Sequence, residues 1–440
     1  MTILPSGWHT ARLADVALVI QGQAPKGKSY NTEGHGLPLF QGKAEFGDLH
    51  PTVRKWTTTP TKVSEAGDIL LSIRAPVGPT NVAPVQCCIG RGLAAIRANQ
   101  GTDQRYLLHF LRWHEPELAA TATGTTFGAV SGSQIRDIEV PLPALDEQRR
   151  IVLMVEEQLS RLEAGSAGVD TASRKLASYE VALLHAATLG RLTSKDRWPA
   201  VLAARGPSED ALPQLPDQWR WAKLESLADV VGGVAKDTKK QSGADLLEVP
   251  YLRVANVQRG RLDLREVATI RVPAEVANKL TLVKGDVLMN EGGDRDKLGR
   301  GWVWQGQIPN CIHQNHVFRV RIRDGILDPR FLSWHGNTFG QAWFQREGKQ
   351  TTNLASISLN RLRQLPVPVP PLNEQRAIVG EVDRRLSVTA AMRNEIGHAR
   401  SKAKILNAAI LEAAFTGRLS ARAELRQAGR VREALAGVLK

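Results

Sequence analysis

Pro141–Leu192 reads PLPALDEQRRIVLMVEEQLSRLEAGSAGVDTASRKLASYEVALLHAATLGRL, and Pro368–Leu419 reads PVPPLNEQRAIVGEVDRRLSVTAAMRNEIGHARSKAKILNAAILEAAFTGRL. One shift, 374 − 147 = 227 from Glu147 to Glu374, superposes the two without a gap and leaves 21 of 52 positions identical. Unrelated helical segments would share far fewer, so the chain contains an internal duplication, and every other motif is read in that light.

Each copy has the marks of a long helix. Alternating prolines (Pro141, Pro143; Pro366, Pro368, Pro370) hold the approach extended. Asp146 and Glu147, or Asn373 and Glu374, suit the positive end of the helix dipole, and Gly190 or Gly417 stops the helix. About 45 residues at ~1.5 Å each make a rod of roughly 65 Å. Apolar positions recur in sevens: Val155, Leu162, Val169, Leu176 and Leu183 in one copy, Val382, Ile396 and Ile410 with Thr389 and Ala403 between in the other. A second seam position holds Gly165, Ala172, Tyr179 and Ala186 against Met392, Ala399, Leu406 and Ala413, small facing large, as expected of helices that pack on each other. A single such helix would read as an ordinary core element. Two at matched spacing predict a pseudo-twofold axis and an antiparallel pair with one variable block at each end.

The blocks repeat too. LPSGW (Leu4–Trp8) returns as LPDQW (Leu215–Trp219) at a shift of 211, so the second block is longer by 227 − 211 = 16 residues. Gly67-Asp68-Ile69-Leu70 matches Gly285-Asp286-Val287-Leu288, and Asp103–Leu107 (DQRYL) matches Asp328–Leu332 (DPRFL). Gly- and Pro-rich stretches with short β-branched runs such as Val16–Ile20 and Val317–Ile322 predict mixed α/β blocks with loop-rich sheets.

The expected plan is therefore an α/β (α+β) chain with internal pseudo-twofold symmetry: a first block over 1–143, a spacer helix over 144–192, a linker over 193–214, a second block over 215–370, a second spacer helix over 371–419 and a basic, helix-prone tail over 420–440. The net charge of +14 and pI near 9.9 point to a polyanionic partner, most simply nucleic acid, against the plainer reading of a basic solvated surface. Three cysteines (Cys87, Cys88, Cys311) supply neither a disulfide framework nor a metal quartet. No segment approaches ~20 uncharged apolar residues, and the chain is expected to be soluble and cytoplasmic.

LPxxW opening a block, then P-x-P-x-L-x-E-Q-x-x-I-V, a heptad helix and a closing G-R-L, all occurring twice between Leu4 and Leu419, resembles the DNA specificity subunit of type I restriction-modification enzymes. The resemblance implies that each block is a target recognition domain reading one half of a bipartite site in double-stranded DNA. It implies that the paired helices act as ruler and as docking surface for two methyltransferase (modification) subunits, with restriction/translocase subunits completing the endonuclease. Glu147, Gln148, Arg191, Glu374, Gln375 and Arg418, in its motifs, are the candidate docking residues. S-adenosylmethionine, ATP and magnesium are expected on the partners, with adenine-N6 methylation there and no cofactor, metal or catalytic residue in this chain.

Gly22–Ser29 (GQAPKGKS) matches the P-loop pattern letter for letter, but SYNTEGHGLP cannot supply the helix that a phosphate loop needs, and the second block lacks the Gly-Lys-Ser. The better reading is a glycine- and lysine-rich loop that reaches DNA phosphates. His313 and His316 suit an exposed strand or turn better than a metal pair. Candidate DNA contacts are Lys26, Lys28, Gln41, Lys43, Arg74 and Arg91 in the first block, and Arg253, Asn256, Gln258, Arg259, Arg261, Arg319, Arg321 and Arg323 in the second, the last three sharing one strand face. Two rivals stand beside this reading: an enzyme, as a fused DNA methyltransferase or P-loop ATPase, and a basic protein-binding scaffold.

Overall fold

The computed structural model describes residues 4–122, 128–192, 212–236, 245–350 and 355–421, so most of the expected linker and of the basic tail lie outside the described residues. Compact packing divides the chain through the helices and not at the block edges: one unit is 1–170 with 397–440, the other 171–396. Each unit thus holds a block, the first part of that block's own helix and the last part of the other helix.

In the first unit, His9–Arg12 pairs antiparallel with Glu139–Leu142, and a four-stranded antiparallel sheet runs Ala17–Gln21, Leu93–Ala98, Ile69–Ser72, Thr80–Val82. In the second, Arg220–Lys223 pairs with Pro366–Val369, and the sheet runs Ala228–Gly232, Val317–Ile322, Val287–Asn290, Gly301–Val303. The two orders are the same. Equivalent strand starts lie 228 − 17 = 211, 287 − 69 = 218, 317 − 93 = 224 and 366 − 139 = 227 residues apart, so the extra residues of the second block enter between strands in three places. Pro141, Pro366 and Pro368 sit in strands with a single neighbour, where a missing N–H breaks no ladder, and Pro143 and Pro370 follow directly after them.

The weak sequence parallels mark the same devices in both units. Gly67 and Gly285 take positive φ, and the next residue, Asp68 or Asp286, is buried and gripped by Nε and Nη2 of Arg97 or Arg321 at 2.7 and 2.8 Å. Asp103 and Asp328 cap helix N-termini through the backbone N–H groups of Arg105 and Arg330.

Helices span Leu145–Thr188 and Leu372–Phe415. Their E-Q-x-x-I-V starts are buried in the blocks that precede them: Ile151, Val152 and Val155 join Ile69, Ile96, Tyr106 and Phe110, and Ile378, Val379 and Val382 join Val287, Val320 and Phe331. Leu411, Ala414 and Phe415 complete the first core, and Leu183 and Ala187 the second. Early residues of one helix therefore meet late residues of the other, which makes the pair antiparallel within each unit. Arg400 donates to Asp170 at 2.7 Å in the first unit, and Arg393 pairs with Glu180 in the second.

The seam is narrower than the heptads predict. Val155, Leu183 and Val382 are fully buried, Thr389 nearly so, and Leu162, Val169, Leu176, Ile396, Ala403 and Ile410 half-buried. Met392 (52% exposed) and Leu406 (43% exposed), expected in the second seam row, face solvent with Tyr179 and Ala399, so the small-against-large pairing is corrected. Where two helices meet with no third layer over them, only one stripe of each is covered.

The closing G-R-L and the opening L-P-x-x-W explain each other. Gly190 (φ +73) and Gly417 (φ +72) end their helices in the left-handed region, and a Cβ there would lie 2.4 Å from Cγ of Pro216 and 2.0 Å from Cγ of Pro5. The proline of each block's opening motif thus lies on the terminal glycine of a helix. Gly417→Ala is expected to destabilise the first unit by about 2–4 kcal/mol, from backbone strain plus displacement of Pro5; an unchanged urea midpoint would show that the contact is dispensable.

His313, expected in an exposed strand or turn, is instead fully buried, whereas His316 is exposed. Burial pushes the His313 imidazole down to about 4, against a hydrogen bond to the Val317 carbonyl (2.6 Å) and beside Arg319, Asp286 and Arg321. His335, whose Nε2 bonds the Pro366 carbonyl at 2.7 Å, is likewise held down to about 4 by burial, with His185 near it. Both are neutral when folded, and the unfolded chain takes up their protons from pH ~6.5 downward. Stability of the second unit is therefore full above pH ~6.5 and falls as pH drops, by about 1 kcal/mol per histidine between pH 7 and 5.5. Urea midpoints across that window check the sign; a rise on acidification would contradict it.

Candidate nucleic-acid interface

Four of the first-block candidates come together. Gln41, Lys43, Arg74 and Arg91 line one open cleft of about 650 Å³ with Tyr30, Ser72 and the backbone of Gly90 and Gly92. Close packing of backbone builds it. A Cβ on Gly92 would lie 2.3 Å from the Gln41 carbonyl oxygen, and a Cβ on Gly22 would lie 2.2 Å from that of Gly90, so glycine at both positions lets the segments around Arg91, Gln41 and Gly22 meet. Four backbone bonds frame the site: Gly90 N–H to Phe40 O (2.8 Å), Gln23 N–H to Ile89 O (3.0 Å), Ile73 N–H to Gly92 O (2.9 Å) and Val130 N–H to Ile73 O (3.1 Å). Ser72 Oγ donates to the carbonyls of Arg74 and Pro76 at 3.1 and 2.9 Å and fixes the Arg74 loop.

Within the cleft, Gln41 Nε2 donates to the Tyr30 hydroxyl (3.1 Å), which donates to the Pro25 carbonyl (3.1 Å). That relay orients the Gln41 amide and leaves its oxygen and one N–H for a ligand. Arg74, Arg91 and Lys43 are exposed, and among the described residues none of them has a carboxylate partner within ion-pair distance. Free cations beside an oriented amide match phosphates and base edges. Lys26 and Lys28 are exposed at the turn leading to Tyr30, next to the cleft. In the P-loop match, the strand Ala17–Gln21 leads to a single 3-10 turn, Gly27–Ser29, and Ser29 Oγ is spent on Thr57 Oγ1 at 2.8 Å.

Most second-block candidates hold the block together instead. Asn256 is buried, accepts from Arg253 N–H and donates to the carbonyls of Asp263 and Glu266. Gln258 donates to Ala255 O, and Arg259 ties the carbonyls of Asn337 and Asp296 together at 2.6 and 2.8 Å. Arg319 is buried against Lys279 O, Arg321 grips Asp286, and Arg323 grips Asp229. Arg319 and Arg321 share a face of the strand Val317–Ile322, whereas Arg323 falls just past its end, and all three are held by the protein's own carbonyls or carboxylates, because such acceptors outcompete solvent for guanidinium groups. Arg253 and Arg261 remain exposed.

The motif glutamines are also internal. Gln148 (fully buried) accepts from Asp103 N–H at 2.9 Å and donates to the carbonyls of Pro143 and Gly101 at 2.9 and 3.3 Å. Gln375 repeats this with Asp328 N–H at 2.8 Å and the carbonyls of Pro370 and Ile326 at 2.8 and 3.0 Å. Both therefore bolt helix to block and are unavailable as docking contacts. Glu147 pairs with Arg150 and Glu374 accepts from the Trp219 indole; Arg191 and Arg418 are exposed, with Arg418 donating to Thr416 Oγ1 at 3.0 Å and to Glu412 at 3.3 Å. Sequence reasoning missed Tyr30 and Ser72; the Gly-Arg-Gly bracket at residues 90–92 was the available signal for the cleft. Among the described residues no cluster of His, Cys, Asp or Glu could hold a metal, and no helix is long and apolar enough to cross a membrane.

Two equivalent α/β blocks on paired long helices, one of them bearing a cleft lined by Lys43, Arg74 and Arg91, define a duplicated α/β protein with a cationic surface cleft. The model of the type I restriction modification DNA specificity domain matches residues 5–165. The MjaX type I restriction enzyme specificity subunit of Methanocaldococcus jannaschii is 40% identical over 151 residues, 34% of this chain and 36% of that protein. The StySPI specificity subunit of Salmonella potsdam is 24% identical over 95% of this chain and 90% of its own length. A solved chain described under complex assembly and conformational transition of the type I R-M system shares the fold with a TM-score of 0.67 at 22% identity, over 94% of this chain and 98% of that one. Residues 5–165 thus match the type I restriction modification DNA specificity domain, and nearly the whole chain is similar in sequence to type I restriction enzyme specificity subunits.

Proposed function

We propose that this chain is the non-catalytic sequence-reading subunit of a type I restriction-modification complex, each block reading one half of a bipartite site. The observation that carries this reading is the cleft lined by Gln41, Lys43, Arg74 and Arg91, an oriented amide among cations that, among the described residues, have no carboxylate within ion-pair distance, while the Glu45 carboxylate in the same lining accepts from Gly42 N–H at 3.1 Å. The antiparallel helices act as the spacer and, through their exposed faces, as the platform for two modification subunits. Docking then falls to exposed residues such as Arg191 and Arg418. Methyl transfer with S-adenosylmethionine, and ATP-driven translocation and cleavage, belong to the partners, in the cytoplasm.

The test is to co-express the chain with a modification subunit in a host free of adenine methylation and to map methylated adenines genome-wide. A two-part motif with a fixed gap is expected. Methylation with a one-part motif, or methyl transfer by the isolated chain, would overturn the reading.

A further inference from the structure

The frame around the first cleft is repeated, bond for bond, in the second block. Gln314 N–H donates to Leu252 O (2.9 Å), Val234 N–H to His313 O (3.0 Å), Glu291 N–H to His316 O (3.0 Å) and Ile357 N–H to Glu291 O (2.9 Å). These are the partners of the four bonds that frame the first cleft, displaced by the strand shifts of 211 to 227 residues. Glycine again stands where the backbones cross, since a Cβ on Gly233 would lie 1.9 Å from the His313 carbonyl oxygen. The backbone is held, and the side chains presented are exchanged.

Position by position, Arg253 stands for Gln41, Gln314 for Gly90, Asn315 for Arg91, His316 for Gly92, Gly292 for Arg74 and Glu291 for Ile73. Three of these groups form a relay: His316 Nδ1 lies 2.5 Å from Glu291 Oε2, and Asn315 Nδ2 lies 3.2 Å from His316 Nε2. With Nδ1–H donating to the carboxylate, Nε2 accepts from the Asn315 amide, which keeps its oxygen and one N–H for a ligand. This is the role the tyrosine relay plays for Gln41, built from different residues.

We infer that the second block reads its half-site through Arg253, Gln314 and Asn315 on this repeated frame, with the amide of Asn315, set by His316 and Glu291, reading adenine. The inference rests on the function proposed above. An amide offering an acceptor beside a donor matches N6 and N7 of adenine in the major groove, and an exposed arginine next to it matches guanine or a phosphate. The two blocks thus share a scaffold and differ in the chemistry at its mouth, which makes their half-sites unlike.

The experiment is the methylome of the complex assembled with unaltered chain, Asn315→Ala or Asn315→Asp. Asn315→Asp keeps the shape and sets a second acceptor against N7, and thermal melting of each variant checks that the chain is folded. Both are expected to lower methylation of the original site about tenfold or more, the scale of one bidentate base contact, and to relax one adenine position in the second half-site only. If the unaltered chain gives no two-part motif, the functional reading itself falls. If it does, and folded Asn315→Asp leaves the second half-site unchanged or alters the first, this inference alone is overturned.

Discussion

The Arg74→Ala, Arg91→Ala double variant is expected to abolish recognition of one half-site while leaving the other intact. Both side chains line the first cleft, are exposed and lack carboxylate partners among the described residues, so their removal disturbs no internal ion pair. Each direct base contact is worth about 1–3 kcal/mol, so the pair together supplies about 2–6 kcal/mol of affinity, roughly 30-fold to more than 10⁴-fold. Filter binding of the assembled complex to duplexes carrying the intact site, or a site scrambled in one half, measures the loss. Salt dependence separates the roles: two lost phosphate contacts reduce the slope of log affinity against log salt by about 1.8, whereas two lost base contacts leave it in place and relax the half-site. Affinity within twofold of the unaltered complex, with its consensus unchanged, would remove the cleft from the interface.

Gln148→Leu is the second large effect, and it falls on folding. The leucine would bury easily, but the buried Pro143 carbonyl and the half-buried Asp103 N–H would lose their partner, and the Gly101 carbonyl, on an exposed residue, would turn to water. Leaving a buried or half-buried backbone group unpaired costs about 1–3 kcal/mol, so for the Pro143 carbonyl and the Asp103 N–H together a loss of about 2–4 kcal/mol is expected after partial relaxation. Gln375→Leu is expected to do the same in the second unit, where the three bonds recur on Asp328, Pro370 and Ile326. Urea unfolding reads the loss. A variant of unchanged midpoint would return Gln148 to the candidates for partner contact.

These glutamines show how far a sequence can be read. Their recurrence at a shift of 227 was visible, and so was their place at the start of a helix. What they bond was not, because Gly101 and Ile326 lie more than forty residues away along the chain and are brought near only by the fold. The same holds for Arg319 and Arg321. Their alternation correctly put them on one strand face, yet the buried carboxylate of Asp286 and the carbonyls of Lys279 and Thr281 claim that face for structure. Met392 and Leu406 followed the heptad and still face solvent, since periodicity tells which residues share a stripe and not how wide a stripe the partner covers.

The sequence by itself determined the duplication, the two long helices with their glycine stops, the paired block openings and the basic character, because each of these is a local or periodic property of the chain. The tertiary structure decided which arginines are exposed and which are consumed in the core, that L-P-x-x-W lies on G-R-L, and that one backbone frame presents two different sets of side chains. Those outcomes depend on which distant segments compete for the same hydrogen bonds, and competition of that kind exists only once the chain has folded.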